Sequence, residues 1–329
     1  MNATPSLRPA TEAGAELVRI AEAHAEAFAK TADLHDREGS VPHGNFASLK
    51  ESGFTLASAP TEFGGLGVSS AVDLAAALNR MGRACPSTTI AITMHMVGYW
   101  AICQEMSEAV HARHPDAEML RGMVQAAADT RFVTCGLSSE PGTNICAPLT
   151  RAVVDGDDVV INGMKIFSTM SPAADVIAVG VRLVTDDGDD QFAWASIPQG
   201  TPGLVLNLDA WDALGMRASG SGNTVLTDCR VPLALVKRYG PWGHWSSAYA
   251  TTVFVGAALL ASTFLGIAEA ARDLAVESAT SKRTGPTQSL GSQRAAVPAL
   301  IGDIDMRTAA CRAILREVAS HRWCKWSRA

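Results

Sequence analysis

The pattern of apolar and polar positions changes period twice along the chain. Up to about residue 128 apolar residues recur at helical spacing. Glu12 to Ala32 is rich in Ala and Glu and sets Leu17, Ile20, Ala21 and Phe28 on one side, which predicts an amphipathic helix. A short helix around Phe46 to Ser52, a glycine-rich turn EFGGLG, and helical runs over Ala71 to Met81 and Thr88 to Met106 follow. Pro86-Ser87 breaks the chain before the last run, with Ser87 placed to cap it. From Arg131 to Pro232 the chain offers short β-rich runs, RFVTCGL, TRAVVDG, DVVINGMKIF, DVIAVGVRLV, QFAWASI, GLVLNL and NTVLTDCRV, separated by DG, NG and PG signals. VDGDDVVING predicts a hairpin with Asp155-Gly156 at its turn. Evenly spaced strands of this kind predict a sandwich or barrel. Helical spacing returns over Ser246 to Lys282 and Ala299 to Arg322, joined by a Gly/Pro/Gln/Ser connector from Thr284 to Gln293.

The fold class expected is therefore α+β and multi-domain. It has an N-terminal helical domain over 1–128, a central β-barrel or sandwich over 129–235, and a C-terminal helical bundle over 236–329 that two long helices leave incomplete. The bundle contains one segment that demands a membrane test. No Asp, Glu, Lys or Arg lies between Arg238 and Glu269, and Tyr249 to Ala268 is mostly apolar. Gly, Ser and Thr dilute that run, and it continues unbroken into AEAARDLAVESATSKR, so a helix buried in the bundle is expected rather than a membrane span.

Composition sharpens this. Charged residues are 18% of the 329, below the roughly 25% of ordinary soluble domains, so surface is expected to be hidden between subunits of a homodimer or homotetramer. Lys and Arg number 27 against 33 Asp and Glu, with no basic block, which argues against a nucleic-acid partner. The seven cysteines are scattered without a CxxC pair or a His at zinc spacing; reduced thiols, a cytoplasmic location and no metal site are expected. The N-terminal MNATPSLRPATEAGAE lacks the charged-then-apolar pattern of a signal peptide.

Four ordered motifs carry a family resemblance. Pro60, Glu62, Gly64, Gly65 and Gly67 keep a P-E-x-x-G-G-x-G loop; SSEPG resembles T-E-P-G, INGMKIFST resembles N-G-x-K-x-F-I-T-N, and LGMRASGSGNTVLTDCRVP resembles G-M-R-x-S-x-T-x-x-x-x-F-x-D-V-x-V-P. In that order they resemble the acyl-CoA dehydrogenase family, in a divergent branch near the flavin-dependent monooxygenases of the same fold. The resemblance implies FAD as cofactor. A flavin needs hydrogen-bond donors along its pyrimidine edge and near N5, and a flat residue against its ring. It assigns Leu137, Ser138 and Ser139 to the pyrimidine edge, Thr169 to the neighbourhood of N5, and Phe167, with Ser168 beside it, to the ring face. Arg217 and Ser219 take a structural role in holding the β-domain loop, and Asp228 a turn or strand-end role. The EFGGLG glycines allow a tight loop and make no phosphate cradle. His95 is a catalytic candidate by analogy with the monooxygenases, set against a plain core histidine; His111 and His114 lie in a polar stretch and are not ligand candidates without partners.

The departures bear on mechanism. Dehydrogenation of an acyl thioester needs a carboxylate to take the α-proton. The family carries it late in the bundle, a position this chain does not reach before Ala329, or early in the first bundle helix, where Gly256 and Ala257 stand in place of Glu and Arg. The G-S-D that contacts phosphates becomes GTNICAP, with Thr143 or Asn144 as substitutes, and Lys282 to Gly285 resembles the adenine-gripping R-x-x-F-G without its aromatic. The function expected first is FAD-dependent α,β-dehydrogenation of an acyl-CoA or carrier-bound acyl thioester, with an electron-acceptor flavoprotein or O2 taking the electrons. The alternatives are a flavin monooxygenase on the same scaffold and a degenerate scaffold that binds flavin or a partner without turnover.

Overall fold

The computed structural model describes residues 6–185, 188–285 and 288–320; the terminal HRWCKWSRA motif, with Cys324, lies outside them. Helix α1 (Glu12–Phe28) begins where the Thr11 hydroxyl accepts the Gly14 N–H at 3.0 Å. The fully buried Asp73 holds that entry from across the domain, accepting the Ala10 N–H at 2.5 Å and the Thr11 hydroxyl at 2.6 Å. Short helices α2 (Ala32–Glu38) and α3 (His43–Glu51) lead to α4 (Ala71–Gly82), α5 (Pro86–Ala112) and α6 (Ala117–Thr130). In the EFGGLG turn, a Cβ on Gly65 would lie 2.2 Å from the Ala59 carbonyl oxygen, so only glycine permits that fold-back.

Helix α5 starts two residues earlier than a Ser87 cap requires. Pro86 occupies the first turn, where its missing N–H costs nothing, and Ser87 lies inside the helix. Two of the threonines α5 buries are satisfied by carbonyls one turn back, Thr89 donating to Cys85 O and Thr93 to Thr89 O, both at 2.8 Å.

The seven expected strands form: β1 (Thr134–Leu137), β2 (Arg151–Asp155), β3 (Asp158–Lys165), β4 (Val176–Val184), β5 (Gln191–Pro198), β6 (Leu204–Asn207) and β7 (Asn223–Pro232). An eighth, β8 (Val236–Pro241), pairs with β5, so the sheet continues past residue 235. Asp155 faces Asp158, which centres the hairpin turn on Gly156-Asp157, one residue beyond the expected pair; Gly156 supplies φ 65°. The strands form one sheet in the order β6-β7-β3-β2-β4-β5-β8, with β1 paired to β4. It is open at β6 and β8 rather than a closed barrel. Both β1 and β2 run parallel to β4, against its first and last residues respectively, which brings the end of β1 beside the end of β3.

Helix α7 (Ser247–Ser281) returns to pack on α4 and α5; a two-residue ribbon of β9 (Arg283–Thr284) and β10 (Ser289–Leu290) follows, then α8 (Ala296–Ser320) against α7. By length and composition α7 is long and apolar enough to cross a membrane. Its backbone nevertheless lies directly against α4: a Cβ on Gly266 would sit 2.5 Å from Asn79 O, and one on Gly82 2.8 Å from Thr263 O. At the same crossing the fully buried Glu269 accepts from Asn79 Nδ2 (3.2 Å), Arg83 Nη1 (3.2 Å) and Arg312 Nη1 (2.8 Å), tying α7 to both α4 and α8.

Two substitutions separate backbone contact from ordinary packing. Gly266→Ala should lower stability by about 1–3 kcal/mol, because the new methyl meets immovable backbone. In Gly256→Ala the methyl meets only a Val97 side chain at 3.5 Å, so the gain in helix propensity should leave stability equal or raised by up to about 1 kcal/mol. Urea unfolding of the two variants beside wild type checks both signs.

Candidate functional site

Strand β3 delivers the site. Its alternation turns Val159, Ile161 and Lys165 into the protein, and all three are buried. A lysine at an inward position requires a partner, and Glu140, just past β1, supplies it with an ion pair to Lys165 Nζ. The same carboxylate accepts the N–H of Leu149 at 2.5 Å and of Thr150 at 3.1 Å. Burial alone would raise the Glu140 pKa, but the Lys165 ammonium and these N–H groups outweigh it and hold it below the ordinary carboxylate value. Burial lowers the Lys165 pKa, against the pull of Glu140. With Ile166 N–H donating to Ser139 O at 3.0 Å, this fixes the end of β3 against the end of β1. Sequence reading passed over the pair, although a lysine in register with Val159 and Ile161 was the available sign.

Directly after β3 the chain takes a left-handed turn, with φ 54° at Phe167 and 70° at Met170, a costly conformation for bulky side chains. The turn is clamped by Ser168 N–H to Gly222 O at 2.8 Å and Met170 N–H to Ser219 O at 3.0 Å. It pushes the Phe167 ring outward, 60% exposed, edge-on to Trp211 at 6.3 Å between centroids. Trp211 was not among the sequence candidates.

The remaining candidates divide. Ser138 and Ser139 are half-buried at the end of β1. Leu137 has its side chain in the core, leaving only its backbone to meet a ligand. The Ser168 hydroxyl turns inward and accepts from Thr224 Oγ1 at 2.8 Å, so it ties β3 to β7 instead of facing a cofactor. Thr169 is half-buried, its hydroxyl 2.9 Å from Ser221 Oγ. Of the phosphate-loop substitutes, Thr143 donates to Ala147 O, and the Asn144 side-chain oxygen accepts from the N–H groups of Cys146 and Ala147, both at 3.0 Å. That loop is closed on itself.

His95 is fully buried, stacked on Tyr99, with Nε2 2.9 Å from Thr55 O and Nδ1 accepting the Thr134 N–H at 3.2 Å. Both ring nitrogens are engaged in joining α5 to β1 and to the Thr55 turn, which is the core-histidine arrangement and leaves neither free for catalysis. Arg217 donates to Asp36 O (2.9 Å) and Ala213 O (3.2 Å), and so holds its loop to α2. Asp228 sits at φ 48° on a bulge of β7, paired with Asn162. Among the described residues no cluster of three or more His, Cys, Asp or Glu is placed to hold a metal. A separate cavity of about 550 Å³ opens between α4, α5, α7 and α8, bordered by Trp100, Glu105, Thr251 and Val255, and none of the flavin candidates lines it.

An exposed aromatic face beside the Ser138, Ser139 and Thr169 hydroxyls, at the ends of two pinned strands, suits a flat heteroaromatic ring with polar edges. The fold is that of a flavin oxidoreductase scaffold. Family models for the acyl-CoA dehydrogenase N-terminal domain and middle domain match residues 14–117 and 137–229. The chain belongs to the acyl-CoA dehydrogenase family. It is 30% identical over 306 residues to L-evernosamine nitrososynthase of a Micromonospora species, covering 92% of this chain and 69% of that protein. It is similar to the structure of KijD3 in complex with FMN and dTDP-3-amino-2,3,6-trideoxy-4-keto-3-methyl-D-glucose, with TM-score 0.81 and 30% identity over 97% of this chain and 76% of that one. It shares the fold of butyryl-CoA dehydrogenase from Megasphaera elsdenii, with TM-score 0.79 and 21% identity over 95% of this chain and 80% of that one. The chain spans 64–69% of the length of the curated nitrososynthases it matches.

Two predictions test the local electrostatics. Lys165→Met leaves Glu140 buried and unpaired and should cost about 3–5 kcal/mol in chemical denaturation. Burial lowers the His95 pKa to about 4 from 6.5, so between these values the unfolded chain binds the extra proton and stability should fall as pH drops through that window. His95→Gln, which can accept from Thr134 and donate to Thr55 without titrating, should flatten that part of the stability profile against pH.

Proposed function

We propose that this chain is a flavin-dependent monooxygenase that oxidises the amine nitrogen of a nucleotide-linked amino sugar. The observation that carries the reading is on α7. Where acyl thioester dehydrogenation would place an early carboxylate, Gly256 packs on Val97 and is followed by Ala257. The first carboxylate along the helix is Glu269, locked between Arg83 and Arg312. Nitrogen oxidation does not require a base to take a carbon-bound α-proton. The similarity to L-evernosamine nitrososynthase over 92% of the chain supports the same reading, as does the amino sugar nucleotide in the KijD3 complex.

When bound and reduced, a flavin would supply the two electrons with which O2 delivers one oxygen atom to the substrate nitrogen and releases the other as water. The chain's own residues bind and orient the group. Phe167 would cover the ring face, Thr169 would donate at one polar edge, and the Ser138 and Ser139 hydroxyls would serve the other. Because Thr143 has its proton committed to Ala147 O, the loop offers less to a dinucleotide tail, which favours FMN over FAD.

Association of copies is part of the reading. Phe254, Phe264 and Leu274 on α7, with Leu300, Met306 and Ile314 on α8, are exposed apolar residues suited to a homodimer or homotetramer. The six described cysteines are free, in keeping with a reducing, cytoplasmic setting.

The reading is tested with protein loaded with FMN and supplied with a flavin reductase, NADH, O2 and a dTDP-linked amino sugar. Oxygen appearing on the sugar nitrogen by mass spectrometry is the expected result. Bleaching of the bound flavin by an acyl-CoA under argon, with no oxygenated sugar, would instead return the function to thioester dehydrogenation. Failure to bind either FMN or FAD would leave a scaffold without turnover.

A further inference from the structure

A line of hydroxyls runs inward from the proposed flavin site. Thr169 Oγ1 lies 2.9 Å from Ser221 Oγ, and Ser221 Oγ lies 2.6 Å from Ser219 Oγ. Ser219 is 1% exposed and Ser221 6%. The segment carrying the two serines is rigid. It is clamped to the turn after β3 by the Ser168 to Gly222 and Met170 to Ser219 backbone bonds, and Gly220 between them has φ 62°, with room for a Cβ only 2.9 Å from Pro172 Cδ.

The direction in which these hydroxyls donate follows from their partners. Each carries one proton. The Ser219 hydroxyl has Ser221 Oγ as its hydrogen-bond partner, whereas Thr169 Oγ1 has, besides Ser221, the Phe167 carbonyl oxygen at 3.3 Å, which can only accept. If Thr169 donated to Ser221 and Ser221 to Ser219, the Ser219 proton would be buried without an acceptor, a heavily penalised arrangement. Running the other way, Ser219 donates to Ser221, Ser221 to Thr169, and Thr169 outward to Phe167 O, and every proton is used. The last bond is long for O–H···O. Phe167 O already accepts the Thr169 N–H at 2.8 Å, so the Thr169 proton is the one most easily redirected to a better acceptor.

We infer that Ser219 and Ser221 are positioning residues, which polarise the Thr169 hydroxyl so that it presents its proton to an acceptor atom on the edge of a bound flavin. The inference rests on the flavin-site reading above. Cooperative strengthening along such a chain makes Thr169 a stronger donor than an isolated threonine. Because the oxygens of the chain are already in place, only the Thr169 proton has to turn when the cofactor binds.

The test is a double-mutant cycle on FMN affinity, followed by quenching of FMN fluorescence and by the visible absorption spectrum. Wild type, Ser221→Ala, Thr169→Val and the double variant are compared, with thermal unfolding of each apoprotein as the check on folding. Ser221→Ala is expected to weaken FMN binding roughly 3- to 10-fold in wild type and by less than about twofold when Thr169 is already Val. Ser221→Thr, which keeps the hydroxyl, restores the affinity and the wild-type spectrum. Equal losses from Ser221→Ala in both backgrounds, or an unchanged affinity and spectrum in the single variant, overturn the inference while leaving the flavin site standing. Wild-type protein that binds neither FMN nor FAD brings down the site reading and this inference together.

Discussion

The ion pair between Glu140 and Lys165 decides whether the candidate site exists. One carboxylate meets the ammonium at the end of β3 and the N–H groups of Leu149 and Thr150, so three chain segments converge on it. Without that charge, Lys165 would have no place on the inward face beside Val159 and Ile161. Without Lys165, the segment after β1 would lose its reason to pass the end of β3. The Ser138 and Ser139 hydroxyls and the outward Phe167 ring are neighbours because this pair is satisfied. A buried pair is weak evidence for net stability; here its structural consequence is register, since it fixes which residues leave the two strands together.

A second layer of constraint lies in the helices. Gly82 and Gly266 allow α4 and α7 to touch at the backbone, and Glu269 gathers Asn79, Arg83 and Arg312 at that crossing. His95 then passes the position of α5 to β1 through Thr134. The helical layers and the sheet are thus coupled by a few polar contacts set in apolar surroundings, where each is costly to break. The same reasoning moves His95 from the list of chemical groups to the list of structural ones.

Much of the architecture was legible along the chain. Alternation located seven strands, and helical spacing located α1, α4, α5, α7 and α8. Two of the missed elements share a cause. The sequence VKRYGP of β8 mixes lysine, arginine, glycine and proline, and ADLHDRE of α2 is polar all round, so neither shows a period. The parallel placement of β1 and β2 on β4 joins segments whose relation no local pattern encodes. At the candidate site, motif positions pointed to Phe167 and Thr169. The approach of Trp211, the inward rotation of Ser168 and the hydroxyl line through Ser221 and Ser219 are products of the tertiary fold. The substitution of Gly256 and Ala257 for Glu and Arg was visible in the sequence, and only with the fold did Glu269 prove to be already committed.

The glycine contact between α4 and α7 also has a temporal side. Asn79 and its partner Ser262 stand 183 positions apart, and at ordinary elongation rates the ribosome takes about 10–40 s to cover that distance. During that interval α1 and α4 can pair with each other, but the groove at Gly82 has no helix to fill it. The nascent N-terminal domain therefore waits with an apolar seam open while the whole β region is synthesised. Long-range contacts of this kind slow folding and leave apolar surface uncovered for longer in the incomplete chain.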